Sequence, residues 1–191
     1  MILASQSTAR ATLLRGAGLV FEQRPARIDE TAVKESFGGI DPDECALMLA
    51  SLKAGRIRTP DTLIIGADQL LVCNDEWFDK PPDLAAARTQ LQRLRGQTHT
   101  LITAIVCHRD GAEIWRHVAR PRLRMREFTD SFLDDYLALE GDAVLSSVGA
   151  YRLEGPGIQL FDAIEGEYAA IIGLPLLALL GFLRQHGVLK A

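Results

Sequence analysis

The sequence predicts an α/β protein, mixed α+β in character, built on a twisted mixed sheet. Three observations carry this. Strand-like apolar runs such as "TLIIGADQLLV" (residues 62–72) alternate with amphipathic runs such as "DLAAARTQLQRLRG" (83–96). Two hairpin signals, "NDEW" (74–77) and Asp110-Gly111, sit between apolar or alternating segments. With 191 residues, 48% hydrophobic and 24% charged, the chain suits one soluble domain with a sizeable core.

Taken in order, residues 1–4 read as a short strand. "TARATLLRGAG" (8–18) reads as a helix, capped by Ser7 or Thr8 and stopped at Gly16 or Gly18. Residues 20–24 form a second strand. "DPDECALMLASLKAGRIR" (41–58) opens with a helix-starting Asp-Pro and keeps an apolar stripe. The strand at 62–72 then turns at "NDEW", and the helix of 83–96 ends at Gly96. A hairpin about Asp110-Gly111 follows, and "DSFLDDYLALEG" (130–141) is a short helix. Glycine-rich 146–168 reads as loops and short strands, and a last helix follows Leu174-Pro175. There is no internal repeat.

Several function classes are excluded or left without support. A net charge of -4 argues against a nucleic-acid polymer as partner, though a local basic cluster suffices for single nucleotides. Three widely spaced cysteines contain no C-x-x-C pair, so neither a zinc site nor a disulfide framework is indicated. The most apolar run, "IIGLPLLALLGFL" (171–183), contains Pro175 and is too short to span a bilayer, so it is assigned to core packing or a homodimer contact. "MILASQS" has no basic region before its apolar start, which makes the cytoplasm the expected location. His108, His117 and His186 lack partners at metal-ligand spacing, and His99 anchors the loop after Gly96.

The chemistry centres on Asp68. Gly66, Ala67, Asp68 and Gln69 interrupt an otherwise apolar strand, and burying a carboxylate is costly unless a cation pairs with it. If the flanking segments form a hairpin, Lys80 returns towards Asp68. In "LASQSTARATLL" a strand leads into a turn at Ser5–Thr8 and a helix with Arg10, a candidate anion site. Taken singly, each of these residues has a plainer reading. Ser7 is a cap, Arg10 and Lys53 are solvated, Glu30 is a surface acid, and Asp68 belongs to a structural ion pair.

Together they resemble a family. "LASQSTAR", Asp29-Glu30, "LASLKA", "IIGADQ", "DKP", "LRGQTHTLIT", "GAYRLEGPG" and "IEGEY…IIGLPL" match, in order, the Maf family of nucleoside triphosphate pyrophosphatases. The resemblance implies a Maf/inosine-triphosphatase-like fold with two lobes around a cleft, in one domain over residues 1–191. It implies metal-dependent cleavage of a nucleoside triphosphate between the α- and β-phosphates, releasing a nucleoside monophosphate and pyrophosphate, with Mg, Mn or Co as the divalent cation. By motif, Asp68 is the catalytic base. Ser5, Arg10, Lys53, Gln69, Lys80 and Glu154 bind substrate, and Glu30 and Asp68 hold the metal. Asp68-Gln69 and Glu154-Gly155 resemble the branch associated with 7-methyl-GTP. Ala9 departs from the pattern, standing where the family carries an arginine or, in that branch, a tryptophan. This departure favours the alternative, a non-catalytic nucleotide-binding regulator of cell division. Asp68, Lys53 and Lys80 favour catalysis.

Overall fold

The computed structural model describes residues 1–190. The expected α/β class holds. The sheet runs β2-β1-β3-β5-β7-β8, with β4 paired to β3 and β6 to β5. It is mixed, because β1 (Ile2–Leu3) pairs parallel with β2 (Glu22–Gln23) and β3 (Ile64–Cys73), whereas β3 with β4, β5 with β6 and with β7, and β7 with β8 are antiparallel. The chain divides into two compact units, and β3 and β5 (Thr98–Arg109) each contribute to both.

The first unit comprises Met1–Gln69, Thr103–Ala119 and Glu167–Ala191. Helix α1 (Thr8–Gly16) starts where expected, with Ser7 Oγ accepting from the Arg10 amide. Helix α3 (Pro42–Gly55) is capped by Asp41, has Pro42 in its first turn with Asp43 and Glu44, and carries Lys53 in its last turn. That charge order complements the helix dipole. The hairpin of β5 with β6 (Ala112–Ala119) closes through a two-residue loop, Asp110 and Gly111, both with left-handed φ. The apolar C-terminal run is realised as core. Leu174, Leu179, Phe182 and Leu183 are buried with Leu3, Leu14, Ile65 and Ile105.

Two helices here were not anticipated. Helix α2 (Glu30–Phe37) is capped by Asp29 and stopped by left-handed Gly38, but it is only eight residues long and its apolar stripe is limited to half-buried Val33 and Phe37. Helix α6 (Tyr168–Ile172) is only five residues long. Helix α7 (Leu176–Gln185) follows Pro175 as expected.

The second unit comprises Leu70–Ile102 and Arg120–Gly166. Here β3 turns through Asn74 and Asp75, both at positive φ, into β4 (Glu76–Phe78). Helices α4 (Leu84–Leu94) and α5 (Asp130–Glu140) are capped by Asp83 and Thr129. Strand β7 (Arg122–Met125) pairs with β5 and β8 (Phe161–Glu165). The glycine-rich stretch forms three short 3-10 turns, Gly141–Ser146, Val148–Ala150 and Pro156–Leu160.

Candidate active site

The paradox of a carboxylate inside an apolar strand resolves through a glycine two residues earlier. Gly66 and Asp68 face the same side of β3, because strand side chains alternate. A Cβ on Gly66 would lie 2.1 Å from the backbone oxygen of Ala50 and 3.0 Å from the Ala54 Cβ. Helix α3 therefore rests its backbone directly on the strand. Lys53 lies three residues after Ala50, on the same helix face. The close approach delivers its ammonium to Asp68, and Lys53 Nζ donates to Asp68 Oδ1 at 2.5 Å.

Both partners are buried, at 8% exposure for Lys53 and 5% for Asp68. The same ammonium reaches Glu30 Oε1 at 2.7 Å. Glu30 opens α2, so the capped start of that helix places a third charge on the cluster. The bland readings of Lys53 as solvated and of Glu30 as merely a surface acid do not hold. One ammonium joins two carboxylates, and the Arg10 guanidinium lies within the field of both. Lys53 is thus hydrogen-bonded to Asp68 from the helix that packs on β3.

Arg10 and Ser5 border this centre in the first unit. Arg10 Nε donates to the Gly173 carbonyl at 2.7 Å, and Nη1 donates to the Ala67 carbonyl at 2.9 Å and to Ser5 Oγ at 3.3 Å. Loss of hydration pulls the Arg10 guanidinium below its ordinary value, while Asp68 and Glu30 act in the opposite sense. Arg10 is neither solvated nor swinging freely. It ties the N-terminal turn to β3 and α6. Ser5 is itself buried, and its Oγ also accepts from the Ser7 amide.

Gln69 points to the other side of β3. Its Nε2 donates to Thr103 Oγ1 at 2.8 Å and to the carbonyls of Ala170 and Ile171 at 3.0 Å each. Thr103, fully buried, also donates to Ala170 at 2.9 Å. Sequence reasoning did not single out Thr103, Gly173 or the function of Gly66. An interrupting glycine two residues from an intrusive aspartate was the available signal.

Lys80 and Glu154 belong to the second unit. The expected β3–β4 hairpin forms, and its ladder stops at Leu71↔Phe78, before exposed Lys80. Glu154 sits on an exposed turn, with Oε1 3.7 Å from Arg152 Nε. Arg152 Nη1 also donates to Glu140 Oε2 at 3.2 Å. The turn folds back tightly, since a Cβ on Gly157 would meet the Arg152 carbonyl oxygen at 2.4 Å. Tyr151 is buried, with its Oη 2.8 Å from His99 Nε2. His99 thus lies in β5 and ties that strand to Tyr151 rather than to the loop after Gly96, and burial drops its pKa to about 4.

Comparison with known proteins identifies the family. A family profile described as Maf-like protein matches residues 1–186. A nucleoside triphosphate pyrophosphatase of Granulibacter bethesdensis is 55% identical over 99% of this chain and 98% of its own length. One from Paramagnetospirillum magneticum is 51% identical over 98% of this chain and 99% of its own. A 7-methyl-GTP pyrophosphatase of Rhizobium etli is 48% identical over 99% of this chain and 97% of its own. With the profile spanning nearly every residue and relatives about half identical end to end, the chain belongs to the Maf-like protein family.

Proposed function

We propose that this protein is a nucleoside triphosphate pyrophosphatase that cleaves between the α- and β-phosphates, with 7-methyl-GTP or a related guanine nucleotide as substrate. The observation that carries the reading is the cluster in which buried Lys53 bridges buried Asp68 and exposed Glu30. It is supported by relatives bearing that activity in their names.

Lys53 occupies Asp68 Oδ1 and thereby fixes the carboxylate. Asp68 Oδ2 takes the proton of a water whose oxygen attacks the α-phosphorus. The bond from that phosphorus to the bridging oxygen breaks, and pyrophosphate leaves with the bonding electrons. An ammonium has three donors, so Lys53 retains one beyond its two carboxylates for a phosphate oxygen. Lys80 is assigned to the phosphates and Glu154 to the base by their motifs. Arg10 and Ser5 shape the turn beside Asp68, and Gln69 fixes the strand on its far side.

A divalent cation fits the donor set. Glu30 and Asp68 supply two hard oxygen ligands, and Mg²⁺ or Mn²⁺ is commonly held by one or two carboxylates together with substrate phosphates. Such an ion would neutralise phosphate charge and lower the pKa of a bound water.

No helix among the described residues is long and apolar enough to cross a membrane. We place the enzyme in the cytoplasm, where nucleoside triphosphates are made. A nucleotide panel with direct chromatographic detection of the nucleoside monophosphate and pyrophosphate released, with and without chelator, tests the proposal. Release of pyrophosphate from guanine nucleotides that stops with chelator and is lost in Asp68→Asn is expected. Binding without turnover under every metal would overturn it in favour of the non-catalytic reading.

A further inference from the structure

The charges around Glu154 have an order that base recognition alone does not require. Glu140 ends helix α5, and its side chain is only 6% exposed. A buried carboxylate needs a cation, and Arg152 supplies it at 3.2 Å. The same guanidinium faces Glu154 Oε1 from 3.7 Å, beyond hydrogen-bond reach. Arg152 is thus committed to Glu140 and only shared with Glu154. Gly155 is what leaves room for this, because a Cβ there would lie 2.9 Å from Glu140 Oε1.

The consequence is electrostatic. Were Arg152 and Glu154 alone, the pair would be neutral. With Glu140 present, two carboxylates share one guanidinium and the group keeps a net negative charge. A neutral guanine presents its N1–H and amino donors to a carboxylate whatever the net charge. A guanine methylated at N7 presents the same donors on a cationic ring, so it alone gains from the excess charge.

We propose that Glu140 is a specificity-determining residue. By engaging Arg152 it keeps Glu154 uncompensated, and so favours a cationic 7-methylated guanine over a neutral one. This rests on the reading of Glu154 as the base-recognising residue. Glu140 acts through Arg152 and Glu154 and is a positioning residue, not a catalytic one.

The test compares kcat/KM for 7-methyl-GTP, GTP and UTP in the full-length wild type and in Glu140→Gln, Arg152→Gln and Glu154→Gln. Glu140→Gln conserves shape, and is expected to lower the 7-methyl-GTP to GTP ratio on the order of 5- to 20-fold while GTP hydrolysis stays within about two-fold. Arg152→Gln removes the cation and is expected to keep or raise that ratio, a divergence that simple loosening of the turn would not give. Thermal melts identify any variant that has lost its fold, and Glu140→Leu and Arg152→Met, which remove the same charges with apolar side chains of similar size, then supply the same comparison. An unchanged ratio in Glu140→Gln, or an equal fall in both variants, overturns the proposal. Glu154→Gln separates the two levels. If it alters the preference for guanine over uracil while Glu140→Gln leaves the ratio intact, only the role of Glu140 is wrong. If it leaves guanine preference untouched, the base reading itself falls and the proposal with it.

Discussion

Replacing Gly66 by alanine probes the physical link between the fold and the chemistry. The added methyl would lie 2.1 Å from the Ala50 carbonyl oxygen, whereas ordinary contact begins at 3.4 Å. Helix α3 must then retreat from β3 by about 1.3 Å, the difference between those distances. The obstacle is backbone, so no side-chain rotation relieves it. Overpacking of this kind costs about 1–3 kcal/mol, a fall in Tm of roughly 2–12 °C for a chain of this size. Lys53 rides on the same helix face, so its ammonium withdraws from Asp68 by a similar amount. A misplacement near 1 Å in a reacting constellation costs about 10²-fold in rate. Gly181→Ala is the control, since nothing lies within 4 Å of its Cβ and it sits inside α7. It should leave turnover alone and stabilise slightly, by about 1 kcal/mol. The assay is pyrophosphate release at saturating nucleotide, alongside a thermal melt. Wild-type turnover and Tm in Gly66→Ala would refute the argument that this contact sets the Lys53–Asp68 geometry.

Asp68→Asn should lose about 10²-fold or more in turnover while remaining folded, because Lys53 keeps Glu30 at 2.7 Å; initial rates and circular dichroism decide. Lys53→Met should be the less stable of the two, since it strands a buried carboxylate at a cost of about 3–5 kcal/mol, and urea midpoints that rank the variants the other way would contradict this. His99 supplies a pH dependence. Its pKa falls from 6.5 in the unfolded chain to about 4 when folded, so the unfolded state binds more protons between those values. Stability is therefore full above pH 6.5 and is lost as pH falls towards 4, by about 3 kcal/mol. His99→Gln should flatten that slope in urea titrations, and an identical slope would assign the acid sensitivity elsewhere.

The elements governed by short-range rules were readable in the sequence. Ser7, Asp41 and Asp83 cap helices as local chemistry dictates, and the two hairpin loops adopt the positive φ that their residues favour. What was hidden depends on partners distant along the chain. The local setting of Lys53 suggests a solvated helix end, and only the approach of Ala50 to Gly66 buries it. Arg10 suggests a free anion grip, but Gly173, 163 positions away, takes its Nε. Glu140 attracted no notice because its partner Arg152 lies beyond a helix end and two turns. The motif resemblance supplied those long-range relations for Asp68 and Glu30, and it had nothing to offer for Glu140 or Gly66.

Helix α3 links these observations within the first unit. At Ala50 its backbone meets Gly66, at Lys53 its side chain meets Asp68 and Glu30, and at Ser51 it is tied to the β5–β6 hairpin. Ser51 Oγ donates to Glu113 Oε2 at 3.1 Å and lies 3.0 Å from His108 Nε2. Burial lowers the His108 pKa, an effect that Glu113 opposes. His108 follows a break in the β5–β6 register, which shifts just before it. Buried charges are weak sources of stability, because desolvation offsets much of their attraction. The helix is therefore held in place by packing and by the polar contact at Ser51, and the ion cluster is held in place by the helix. That ordering leaves Lys53 and Asp68 available for the chemical roles proposed for them without also having to hold the fold together, and it explains why a glycine, the residue with least to contribute to a core, occupies the centre of an apolar strand.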